Sequence, residues 1–168
     1  RRRGVHLGNL SMAYRNRGEA KQAIRRGEMS INLLRAVGDK LQEGIQTGNL
    51  GDTLLQFNRL DEAEVRFREA IEICDEVFPP AAGAFRGSLA RLLANSGQID
   101  EAITLIEEGE SQVEPNPEEH IKFLCKKGSV YHIAGNEISA RAALNKAQEI
   151  VTDLKFSDES EAGEALSE

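Results

Sequence analysis

Apolar positions in this chain recur three and four residues apart in short runs, and the runs come in pairs. Between Gly48 and Ala70 the first run carries Leu50 and Leu54 with Gly51 between them; the second carries Ala63, Phe67 and Ala70 at i, i+4, i+7 spacing. Asn58 stands between the runs and suits the left-handed conformation that ends a helix. The same reading predicts helices over 4–16, 20–36, 41–57, 61–77, 81–95, 99–113, 117–133 and 137–153, with a short capping helix near 158–168. Alternating Val/Ile/Thr/Tyr runs with turn dipeptides, the signal of a sheet, are absent. The expected class is all-α.

The paired runs repeat. Gly48 falls over Gly8, Ala63 over Ala23 and Ala70 over Ser30 at an offset of 40. At an offset of 39, Gly87, Leu89, Gly97, Ala102 and Gly109 follow Gly48, Leu50, Asn58, Ala63 and Ala70. At an offset of 38, Gly128, Tyr131, Gly135, Ala140 and Ala147 follow Ala90, Leu93, Gly97, Ala102 and Gly109. About four copies result, near 4–37, 44–78, 83–114 and 121–154, and they read as one array over 1–168. The small residue of each first helix (Gly51, for example) sits where a second helix has to come close. Asp61 and Asp100 fall near the starts of second helices, where capping oxygens and negative charge both help. Asn116 and Pro117 read as a cap and first helical residue, and Phe78-Pro79-Pro80 as a breaker between copies.

The residues "LGDTL" with Ala63, Phe67 and Ala70, "LARLL" with Ala102, Ile106 and Gly109, and "KGSVY" with Ala140, Leu144 and Ala147 resemble the tetratricopeptide repeat. The 38–40-residue spacing is similar to the longer variety seen in kinesin light chains, Pins-type adaptors and bacterial regulatory proteins. Leu7, Thr47, Arg86 and Leu124 occupy the consensus Trp position. Gly27 replaces a large residue, which is expected to loosen the first repeat or leave room for a neighbour. Lys127 stands where the other copies have a large apolar residue.

The resemblance implies a right-handed α-solenoid of antiparallel hairpins whose inner wall is made of the first helices. It also implies a groove there for a peptide or partner segment. Carried over position by position, the groove residues are Asn9, Met12, Arg15 and Asn16 in the first copy, and Asn49, Asp52 and Gln56 in the second. The third copy gives Ser88, Arg91 and Asn95, and the fourth gives Lys122, Lys126, Ser129 and His132. Asn side chains both donate and accept, which suits an extended backbone. The carboxylate clamp of chaperone-binding relatives is not met, since Gly8 and Met12 stand at its first-repeat positions.

Charge adds a direction. The net charge is −7, yet residues 1–40 carry +7 and the remainder −14. A basic first repeat points to an acidic partner or to an upstream segment lying over it. The acidic remainder disfavours nucleic acid. No apolar run reaches the length of a membrane span. The two cysteines lack metal-ligand spacing and suit a reducing cytoplasm. His6, His120 and His132 lie in different copies, and no nucleophile–base pair or phosphate loop is present. No catalytic centre, metal or cofactor is therefore expected.

The chain starts without Met and ends in a helical pattern, so a piece of a longer protein is expected. Three functional readings stay open. The leading one is a non-catalytic module binding a protein segment in the groove. The second is an intramolecular regulatory domain of a larger signalling enzyme, such as a kinase, cyclase, ATPase or caspase-like peptidase. The third is a self-associating scaffold, with Gly27 and Ser30 as a small-residue surface for a second copy.

Overall fold

The computed structural model describes residues 2–154 and, among these, contains helices and turns without strands. The helices are α1 (Arg2–Asn16), α2 (Ala20–Ala36), α3 (Lys40–Gln56), α4 (Leu60–Val77), α5 (Pro79–Asn95), α6 (Ile99–Val113), α7 (Pro117–Ile133) and α8 (Glu137–Leu154). Each boundary lies within two residues of the sequence expectation. The expected capping helix at 158–168 lies outside the described residues. The chain forms two compact units, Arg1–Phe85 and Arg86–Glu168, with the boundary inside α5.

Helix ends follow from local chemistry. The turns between paired helices hold Gly18, Asn58, Gly97 and Gly135 at positive φ, and Asn58 at 58° is the only such non-glycine among the described residues. The Asn116 side chain accepts a hydrogen bond from the Glu119 amide at 3.3 Å, with Pro117 next to it. One expectation changes. Asp61 and Asp100 do not cap; Arg59 and Gln98 take the cap positions without a side-chain capping bond, leaving both aspartates in the first turn, where they act by charge alone. Phe78-Pro79-Pro80 breaks the chain between copies: α4 ends at Val77, and Pro79 and Pro80 open α5, because a first turn has no use for their missing N–H groups.

In the first unit, the Leu34, Leu50, Leu54, Ala63, Phe67 and Ala70 side chains are removed from solvent. A Cβ on Gly51 would stand 2.8 Å from the Phe67 ring, so the small residue of α3 is what admits the large residue of α4. The first repeat inverts this arrangement. Gly27 is buried, and a Cβ there would meet Leu50 at 3.0 Å and the Ser11 hydroxyl at 3.2 Å. Leu50 of the next repeat thus fills the space expected to be loose or open. Ser30 is also buried and donates to the Gly4 carbonyl at 2.7 Å. Gly27 and Ser30 therefore offer no surface to a second copy.

A second class of glycine contact ties one repeat's first helix to the next. The Gly8 position faces the Gln46 amide, Gly48 faces the Phe85 ring, and Gly87 lies under Phe123, where a Cβ would stand 2.9 Å away. The three receiving glycines are equivalent in the repeat, and so are the three inserted residues. In the second unit, Ile121 and Leu124 of α7 pack with Ala143 and Ala147 of α8, and Ile150 and Val151 flank them. A Cβ on Gly128 would stand 3.1 Å from Leu144, repeating the Gly51–Phe67 relation.

Candidate functional site

The first helices of the hairpins divide their polar residues into two sets. One set is buried and engaged. On α3, Thr47 donates to the Glu43 carbonyl and Thr53 to the Asn49 carbonyl, each at 2.8 Å. Glu43, with 1% of its side chain exposed, accepts from Arg35 Nε at 2.7 Å and Lys40 Nζ at 3.0 Å. Burial would raise its carboxyl, but the hydrogen bonds from Arg35 and Lys40 outweigh that and hold it below its ordinary value. Arg35 also reaches Glu69 at 2.6 Å, so α2, α3 and α4 are joined by one charged network.

The other set is open and coincides with most of the positions carried over from the resemblance. In the first unit, Asn9, Met12 and Asn16 of α1 and Gln56 of α3 are exposed; Arg15, Asn49 and Asp52 are half-buried. Gln56 Nε2 lies 3.4 Å from the Arg15 carbonyl, joining the C-terminal ends of α1 and α3. Arg15 Nε is buried with no hydrogen-bond partner.

In the second unit, Arg91, Asn95 and His132 are exposed, and Lys122, Lys126 and Ser129 are half-buried. Asn95 bonds its own helix through the Arg91 carbonyl at 2.8 Å, and His132 Nδ1 lies 2.7 Å from Glu137. Ser88 is 4% exposed, and its hydroxyl accepts from Lys126 Nζ at 2.9 Å. It positions Lys126 and has little surface of its own to offer a partner.

A polar cluster in the second unit lies outside the sequence expectations. Glu110 of α6 accepts from Lys127 Nζ at 2.7 Å and Lys146 Nζ at 2.8 Å, with His120 Nε2 at 3.2 Å. Burial would raise the Glu110 carboxyl; the bonds from Lys127, Lys146 and His120 overcome it and hold the group at about 2. The Tyr131 hydroxyl donates to Glu107, and the Lys127 ammonium lies 5.7 Å from the Tyr131 ring centroid. Burial, and then the Glu107 carboxylate, push the Tyr131 phenol up to about 12. Glu110 occupies the register of Ile31 and Ile71, and Lys127 that of Leu50 and Leu89. Two opposite charges at facing apolar positions are the signal in the sequence.

Among the described residues no group of three or more His, Cys, Asp or Glu is gathered to hold a metal ion. No described helix is long and apolar enough to cross a membrane. Cys74 is buried, and desolvation, helped by Asp75, pushes its thiol up to about 11.

Hairpins with this register and these small-residue contacts define a helical-hairpin repeat protein. Two family models, both described as tetratricopeptide repeat, match residues 3–76 and 83–108. The chain belongs to the tetratricopeptide repeat family. Repeats of this family serve in general as protein–protein interaction scaffolds without catalysis of their own.

The crystal structure of BtubC (BKLC) from P. vanneervenii superposes with a TM-score of 0.76 at 18% identity, covering 92% of this chain and 65% of that one. This chain thus spans slightly less than two thirds of that protein's length. A Podosopora anserina protein assigned as a kinesin light chain, with nearly identical TPR-like repeats, superposes at 0.71 and 16% identity, covering 94% and 78%. A glutamine-to-methionine variant of that fungal protein superposes at 0.72 with the same identity and coverage. At these identities the likeness is one of fold. No curated protein matches the chain significantly in sequence.

Proposed function

We propose that this chain is a peptide-binding module whose first helices present the binding residues: α1 and α3 in the first unit, α7 and the end of α5 in the second. The observation that supports this is the division of polar side chains on those helices. Glu43, Thr47 and Thr53 are buried and engaged inside the fold, while Asn9, Asn16, Asn49 and Gln56 stay exposed or half-buried. A helix face built only for stability has no need to keep a row of amides open. Amides that both donate and accept suit the main chain of an extended segment.

In the second unit exposed Arg91 and half-buried Lys122 and Lys126, the latter two also bonded to Glu119 and Ser88, bring positive charge to the same class of positions, so an acidic segment is the expected partner. Two thiols without a disulfide suit a reducing compartment, which we take to be the cytoplasm. We take the four hairpins to form one array serving one partner.

Selection from a phage library of random peptides tests the reading. The enriched peptides should be acidic, and the double variant Arg91→Glu/Lys126→Glu should lose them while keeping its helical circular dichroism. Binding that survives that change in a folded protein rejects the groove assignment.

A further inference from the structure

In the first unit, α2, α3 and α4 meet around a cleft of about 350 Å³, and none of the groove positions lines it. Its floor is the charged network already described, in which Arg35 bridges Glu43 and Glu69 and Lys40 completes Glu43. Its rim on α4 is different. Glu72 and Glu76 stand one turn apart, both exposed, and neither pairs with a described residue. Beside them lie half-buried Ile73 and Val77, the latter 41% exposed. Four carboxylates against two cations line the cleft, so the unpaired rim sets its charge.

Local stability does not ask for these two carboxylates. Like charges four residues apart on a helix repel each other. Glu76 also stands in the last turn of α4, at its negative end, where no basic residue offsets it. The other copies do without the pair: the same register holds Asn32 and Ala36 in the first and Ser111 and Pro115 in the third. The backbone adds an acceptor of its own, because Pro80, four residues on from Glu76, has no N–H to give the Glu76 carbonyl. One complete hairpin precedes α3 and α4 in sequence and two follow them.

We propose that this cleft receives an arginine side chain from a basic segment of a partner protein. The alkyl stem lies along Ile73 and Val77, and the guanidinium stands between Glu72 and Glu76 at the carbonyl end of α4. A guanidinium suits this set, since its planar fork donates to two carboxylates and a carbonyl together. A cation there also relieves the repulsion between the carboxylates and complements the helix dipole. The cleft is a second docking site with the opposite charge preference to the groove, and it does not rest on the groove reading.

Titration of the isotope-labelled full chain with the peptide acetyl-Leu-Arg-Leu-Arg-Leu-amide, followed by NMR, tests this. The amide signals of Glu72, Ile73, Val77 and Phe78 should move, and the affinity should fall as salt is added. The variant Glu72→Asn/Glu76→Ala, which installs the residues of the first copy, should bind about tenfold more weakly. Should it fail to fold, Glu72→Gln, at an exposed position, takes its place with a smaller loss expected. The peptide with Gln in place of Arg should leave those signals where they are. Arg91→Glu/Lys126→Glu, which is aimed at the groove, should bind the arginine peptide as the wild type does, so the two readings fail separately.

A wild-type spectrum that stays unmoved at millimolar peptide overturns the proposal. Undiminished affinity in the folded rim variant, equal binding of the glutamine peptide, or shifts spread evenly over the acidic surfaces of the chain overturn it as well.

Discussion

The ring of Phe85 occupies the space that any side chain on Gly48 would need. This contact, thirty-seven residues apart in the chain, locks α5 against α3 within the first unit and has counterparts at Gly8–Gln46 and Gly87–Phe123. A Gly48→Ala substitution gains about 1 kcal/mol of helix propensity. It must also displace an aromatic ring that is 8% exposed. Overpacking of this kind costs about 1–3 kcal/mol, so a net loss is expected. Gly8→Ala meets only the end of a Gln46 side chain and should be close to neutral. Urea denaturation of both variants makes the comparison.

Equivalent positions should differ in cost according to their cover. Phe67 is fully buried against Gly51, with its ring centroid 6.5 Å from that of Phe85. Phe67→Ala should cost about 3–5 kcal/mol. Leu144→Ala, at the same register but 44% exposed, should cost less than half as much. A calorimetric comparison that gives equal losses would contradict the burial difference.

Acid should unfold the second unit in a defined window. Glu110 is held at about 2 in the folded chain, against an ordinary value of 4.5. A depressed folded-state value means that the stabilisation is complete above about pH 4.5 and is lost as pH falls towards 2. With 19% of the side chain exposed, it amounts to at most about 3 kcal/mol. Glu110→Gln should flatten the dependence of the urea midpoint on pH in that window while lowering stability at neutral pH.

The two cysteines should react unequally. Cys74 is buried with its thiol pushed up to about 11, whereas Cys125 is half-buried. Iodoacetamide at about pH 8 should label Cys125 in the native protein and reach Cys74 only on unfolding. Mass spectrometry of the labelled digest reads the outcome directly.

The helices, their pairing and their repeat could be read from the sequence because each rests on local spacing: apolar residues at 3.6-residue period, and a Gly or Asn between members of a pair. Contacts between repeats could not be read the same way. Phe85 and Phe123 acquire meaning only once their glycines are known to face them. Gly27 suggests a gap because the side chain that fills it, Leu50, comes from the following hairpin. Glu110 and Lys127 each look misplaced alone, and their pairing emerges only when α6 lies against α7. Among the groove positions, Ser88 follows from register, but the Lys126 side chain lies over it.

Leu50 resting in the space of Gly27 bears on how such a chain can evolve. Hairpins of similar sequence invite exchange by recombination, and the register shows what has to travel together. Where the second hairpin carries Phe67, the residue at the register of Leu50 is still a leucine, Leu89, so position 50 does not set the two hairpins apart. The residue that changes with position 27 is the small one on the same hairpin: Ser11 stands with Gly27, and Gly51 with Phe67. A hairpin is therefore exchanged whole, and lineages that shuffle repeats should keep the residues at 11 and 27 in step.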